Sequence, residues 1–189
     1  MSERLDMTMM LAVHDALRRE SAQVARLGGV AAAVGWEMFA SYLRVHHTTE
    51  DDILWPALQA AGPGERALLD AMEAEHAVLD PLIAAIDAGL DVADRADALV
   101  TALHVHLRHE ETEVLPLIQA VLPAEEWQRF GQEHGIRVGA DAPRYLPWVL
   151  EGMPPARAVS VLDRMPPRIQ EQYRDQWRSA YAELVRWPA

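Results

Sequence analysis

Between residues 7 and 121, four stretches of the chain place apolar residues at alternating steps of three and four, the spacing that lines one face of an α-helix. The first stripe runs Met7, Met10, His14, Leu17, Ser21, Val24, and the second Trp36, Phe39, Leu43, His46, Glu50, Ile53, Ala57. The third is Leu69, Met72, His76, Leu79, Ile83, Ile86, Leu90, and the fourth Leu99, Leu103, His106, Glu110, Val114, Leu117, Val121. Gly28-Gly29, Gly62-Pro63-Gly64, Gly89 and Pro123 punctuate them, so the connections are short and successive helices run antiparallel. The pattern predicts an all-α fold, an up-down-up-down four-helix bundle with helices over about 8–27, 30–60, 64–88 and 92–121.

Apart from Ser21, each stripe is broken only by a His, or by a His and the Glu four residues on. These are His14, His46, Glu50, His76, His106 and Glu110. A buried imidazole or carboxylate without a partner is unfavourable, and one core His is more often a hydrogen-bonded packing residue than a ligand. Four in register with two Glu reverse that expectation, because a shared metal centre satisfies all six. His and Glu at i and i+4 share one helix face, and imidazole with carboxylate suits iron, manganese or zinc. The chain has no Cys, which excludes disulfides, thiolate-bound zinc and iron–sulfur clusters.

The ligand pattern also repeats. His46 to Pro56 aligns with His106 to Pro116 at an offset of 60, with His, Glu and Pro coinciding. His14 and His76 precede their partners by 32 and 30 residues, each with a Met one turn earlier. Two helix pairs related by an approximate twofold axis would set two equivalent metal ions side by side. The pairs His47/Asp51 and His109/Glu113 have the same i,i+4 spacing but begin about 100° off the stripe. Because His47 aligns with Leu107 and His109 with Thr49, they are read as surface or supporting groups, the alternative being that one of them joins the site. Asp15 and Glu75, adjacent to stripe histidines, are read as solvated charges in preference to acceptors that orient the imidazoles. Met10 and Met72 are read as packing in preference to the lining of an apolar pocket, and Tyr42 as packing in preference to a hydrogen-bond partner of metal-bound oxygen or a radical trap. His104 and His134 are read as structural. Pro81 is expected to kink the third helix.

The net charge of −12 argues against nucleic acid as a partner. Residues 1–123 hold 20 acidic and 8 basic side chains, whereas 124–189 hold nine of each and are richer in Pro and Trp. The chain thus reads as a bundle over 1–123 and a helical extension over 124–189 packed on it. Paired prolines suit helix starts, which places extension helices at about 124–135, 143–151, 155–164 and 167–186. Met1 to Asp6 lacks a signal pattern and no apolar run spans a membrane, so a cytoplasmic protein is expected.

His14, His46-x-x-x-Glu50 with Trp55-Pro56, Glu75-His76, and His106-x-x-x-Glu110 with Leu115-Pro116 together resemble the hemerythrin-like, HHE cation-binding family over about residues 8–121. The tail, with Leu146-Pro147-Trp148 and Met165-Pro166-Pro167, resembles extensions of actinobacterial members. The resemblance implies two non-haem irons joined by an oxo or hydroxo bridge, terminal His ligands, and Glu50 and Glu110 as bridging carboxylates. Oxygen-carrying members look similar but bear His-x-x-x-His on the third helix, where this chain has Met72, His76 and Asp80, so a fifth His is missing and each iron keeps an open position unless Tyr42, Glu73 or Asp80 fills it. Four His and two Glu are also similar to the set of iron-centre repair proteins, whose cysteine-bearing segment this chain lacks.

The expected function is binding, and turnover, of dioxygen, hydrogen peroxide or nitric oxide in a stress response, as a catalase-like or nitric-oxide-processing activity. An iron or redox sensor and an iron storage or delivery protein are the alternatives. The extension is expected either to cover one end of the bundle and control access, or to form a homodimer interface.

Overall fold

The computed structural model describes residues 4–26 and 33–187, and every regular element among them is helical. Gly28-Gly29, the expected second-helix start at 30 and Pro188 lie outside the described residues. The bundle comprises α1 (Thr8–Arg26), α2 (34–61), α3 (Arg66–Asp87) and α4 (92–121). Glycine 89 and Asp91, both at positive φ, turn α3 into α4. α3 runs on through Pro81 as one helix.

α2 and α4 each contain a feature absent from the stripe reading. In α2 a π-helical turn, Glu50–Leu54, separates Val34–Thr49 from Trp55–Ala61; in α4 the turn Glu110–Val114 separates Val92–His109 from Leu115–Val121. Both turns begin at the stripe Glu and end two residues before a proline, Pro56 or Pro116. Proline inside a helix removes a donor and clashes with the carbonyl four residues back. A turn bonded over five residues instead of four shifts the ladder by one, so the helix continues past the proline.

The extension forms α5 (Ala124–Val138), α6 (Ala142–Leu150), α7 (Pro155–Leu162) and α8 (167–182), the last with its own π turn at Tyr173–Trp177. It does not stand apart. Tyr145, Leu146, Trp148, Val161 and Trp177 belong to one apolar cluster with Leu17, Phe39, Leu43, Ile83 and Leu103 of the bundle. A second cluster unites Met10, Leu54, Trp55, Leu69, Met72, Val114 and Ile118. The stripe histidines lie between the two clusters, His14 between Met10 and Leu17, His76 between Met72 and Leu79, so a polar layer divides the core.

Candidate metal centre

All six stripe residues are buried, and the structure brings them together in that layer. Two groups of ligand atoms lie within 4.8 Å of one another: His14, His46, Glu50 and Glu110, and His47, Glu50, His76 and His106. Glu50 belongs to both. His14 Nε2 is 3.1 Å from His46 Nε2 and 3.2 Å from Glu110 Oε2. His76 Nε2 is 3.2 Å from His106 Nε2 and 3.6 Å from Glu50 Oε2.

His47 corrects the sequence reading, which placed it off the stripe among surface or supporting groups. It is 4% exposed, stacks on His76 with centroids 4.0 Å apart and planes at 11°, and sits edge-on to His106 at 5.0 Å. Burial reaches two adjacent positions of α2 because this helix has neighbours on several sides: α1, α3 and, from the extension, α5. His46 faces His14 and α5; His47, about 100° further round, faces α3 and α4. The alignment with Leu107 was itself the missed signal, since Leu107 is fully buried and marks the position as interior in both copies.

The imidazole nitrogens pointing away from the centre are also engaged. His14 Nδ1 meets Glu111 Oε1 at 2.9 Å, and Arg18 clamps both Glu111 oxygens at 2.8 and 2.9 Å. Sixty residues earlier, Asp51 Oδ1 lies 2.7 Å from His76 Nδ1. The repeat therefore extends to the acidic residue after each stripe Glu, which sequence reasoning passed over for Glu111. Glu75 is not merely a solvated charge: its two oxygens meet His106 Nδ1 at 3.0 Å and His109 Nδ1 at 2.8 Å. It reaches them on α4, whereas same-helix geometry considered only His76. Asp15 instead pairs with Arg18 and Arg157. Glu73 and Asp80 are exposed, and Tyr42 turns to Asp141. His104 bonds Ser21 at 3.0 Å.

Both carboxylate oxygens of Glu50 and of Glu110, and Nε2 of His47, make no hydrogen bond although fully buried. Five unpartnered polar atoms converging on imidazole nitrogens are costly in a dry core. A cation fits them, because carboxylate and neutral imidazole are donors of electron pairs and here lack protons to accept. Without one, electrostatics are strained. Burial and the neighbouring imidazoles hold His46 and His47 well below the usual histidine range. Burial and Glu110 push Glu50 well above the carboxylate range. His14 resists burial because Glu110 and Glu111 hold it up to about 9, and Glu111, despite burial, is drawn down to about 2 by His14 and Arg18.

A cavity of about 130 Å³ opens beside the first group, walled by Met9, Met10 and Val13 of α1, His46, and Phe130 and His134 of α5. His134, read as structural, thus lines the approach to the centre. None of His47, His76 and His106 touches it.

Residues 6–118 match the family described as "Hemerythrin HHE cation binding domain". No curated protein and no solved structure matches the chain. Among the described residues, no helix is long and apolar enough to cross a membrane.

Proposed function

The chain belongs to the hemerythrin HHE cation-binding family, and from that premise we propose that it holds two iron ions, one by His14, His46 and Glu110 and the other by His47, His76 and His106, with Glu50 shared. With both ions in place, the site would bind and turn over a small ligand, namely dioxygen, hydrogen peroxide or nitric oxide. The observation that carries this reading is the shared Glu50, whose two unpartnered oxygens lie between two separate imidazole groups.

Bound iron supplies one-electron redox chemistry and an exchangeable coordination position. The chain does the rest. Glu111, fixed by Arg18, orients His14; Asp51 orients His76; Glu75 orients His106, each setting which ring nitrogen carries the proton. Met9, Met10, Val13, Trp127 and Phe130 make most of the wall apolar, with Asp6 and His134 among its polar members, and the cavity's small size suits a small ligand over bulky reductants. Of the residues in the two groups only His46 lines the cavity, so the cavity would admit a small ligand on the side of the first group. His134, which lines the cavity, is kept down at about 4 by burial and by Arg137, so its ring is neutral at neutral pH. Burial of every ligand disfavours storage or delivery, which need ready release.

Metal analysis with optical spectra before and after azide, hydrogen peroxide and nitric oxide tests the proposal. Two irons per chain, an oxo-bridged di-ferric spectrum and a response to at least one ligand are expected. Fewer than two metals, or zinc retained in preference to iron with no ligand response, would overturn it.

A further inference from the structure

From His46 a series of rings leads away from the centre through the extension and back to α2. The His46 and His134 centroids are 6.2 Å apart, and those of His134 and Tyr145 5.6 Å, with the Tyr145 hydroxyl 3.5 Å from His134 Nε2. Tyr145 meets Tyr42 edge-on at 4.9 Å. There the series ends on an acid: Tyr42 donates its phenolic O–H to Asp141 in a short hydrogen bond, and Arg144 Nε holds the other Asp141 oxygen at 2.5 Å.

Packing alone does not call for this ending. Tyr42 is 2% exposed, with Trp148 also 4.9 Å away, yet its proton is aimed at a carboxylate whose side chain still reaches solvent. A buried phenol that loses an electron becomes a strong acid, and a hydrogen-bonded carboxylate takes the proton without leaving a charge inside. We infer that Tyr42 is a redox-active residue, connected to the metal centre through Tyr145 and His134 and able to give that centre one electron while passing its proton to Asp141.

The inference rests on the di-iron reading with hydrogen peroxide as oxidant. Reduction of one peroxide to two waters takes two electrons, with two protons from solvent. A centre with a single reducing equivalent supplies the first electron. Tyr42 supplies the second: its O–H bond breaks, an O–H bond forms on Asp141, and the electron moves along Tyr145 and His134 to the His46 side of the centre. A neutral tyrosyl radical remains; one electron from an external one-electron reductant restores the phenol as the proton returns from Asp141, and a second would restore the centre. Burial and the Asp141 carboxylate push the Tyr42 phenol well above the usual tyrosine range, so it is not lost as phenolate beforehand.

Full-length protein loaded with iron and brought to the state that holds one reducing equivalent, then mixed with hydrogen peroxide and freeze-quenched, should show a tyrosyl radical by electron paramagnetic resonance. Tyr42→Phe should remove that signal, and Tyr145→Phe should cut its yield several-fold, with iron content and the azide spectrum unchanged in both. In the metal-free chain, flash oxidation by a soluble ruthenium polypyridyl should give a Tyr42 radical whose formation slows several-fold in heavy water and in Asp141→Asn. Equal radical yields from the unsubstituted chain and Tyr42→Phe would overturn the inference in either experiment, as would a centre holding one reducing equivalent that reduces peroxide to water with no tyrosyl signal. A chain that binds no iron, or iron inert to peroxide, instead defeats the di-iron reading, and the flash experiment then decides Tyr42 by itself.

Discussion

The His47 imidazole lies stacked on that of His76, centroids 4.0 Å apart, with its Nε2 buried and unpartnered. Stacking fixes the ring plane, and the absent hydrogen bond leaves a lone pair or a proton facing the centre. If His47 completes the second group, His47→Leu, which fills the volume without a donor, should weaken one metal position by at least roughly 10–100-fold, the scale seen when even supporting groups are lost. Iron per chain should fall from two toward one. Retention of two irons at undiminished affinity would show that His47 is only packed there.

Glu111 and Asp51 occupy equivalent places behind His14 and His76, yet only Glu111 is clamped by an arginine. Glu111→Gln and Asp51→Asn should each lower metal affinity roughly 10–100-fold. The larger loss is expected for Glu111→Gln, because Arg18 then loses the carboxylate it holds by both oxygens. Competition against a chromophoric chelator measures both.

The metal-free chain should lose stability as pH rises from 6.5 toward 9. His14 is held up at about 9 against an ordinary 6.5, so the folded state binds a proton there that the unfolded state has released. The stabilisation is complete below pH 6.5 and is lost through the folded value, on the order of 3 kcal/mol for this shift alone. Glu50, raised above its ordinary range, acts in the same direction. Metal binding behaves oppositely: His14 and Glu50 must give up protons to act as ligands, so uptake should release protons at pH 7 and tighten as pH rises. Urea titrations of metal-free and loaded protein at several pH values check the crossing trends.

Near the end of the chain, Arg186 closes on Glu20, 2% exposed, at 3.0 and 3.1 Å and on Glu151 at 2.5 and 2.6 Å, while Trp187 Nε1 donates to Glu20 at 3.0 Å. Removing one partner of a buried ion pair costs about 3–5 kcal/mol; with Arg19 and Trp187 still in place, Arg186→Ala should cost about 2–3 kcal/mol in urea unfolding. Arg186→Leu combined with Glu20→Leu should recover part of it. Gly35→Ala should also destabilise, since its Cβ would lie 2.3 Å from the Trp187 ring.

A bulkier wall should slow entry to the centre. Val13→Phe, at the cavity lining, is expected to reduce the association rate of nitric oxide or azide with loaded protein while leaving iron content unchanged. An unaltered rate would mean that ligands arrive by another path.

The helical stripes, their breaks and the offset repeat already determined four antiparallel helices and a layer of His14, His46, Glu50, His76, His106 and Glu110, because period and hydrophobicity are local properties of sequence. The π turns at Glu50–Leu54 and Glu110–Val114 were partly visible as the prolines behind them, but stripe counting assumes one unbroken period. Only the tertiary structure decided that His47 faces inward, that Glu75 serves α4 rather than its own helix, and that His134 and Tyr145 of the extension reach the centre and Tyr42. The physical reason is common to all three. Which side of a helix is interior depends on how many neighbours surround it, and α2, flanked by the extension as well as by the bundle, buries more of its circumference than its own periodicity announces.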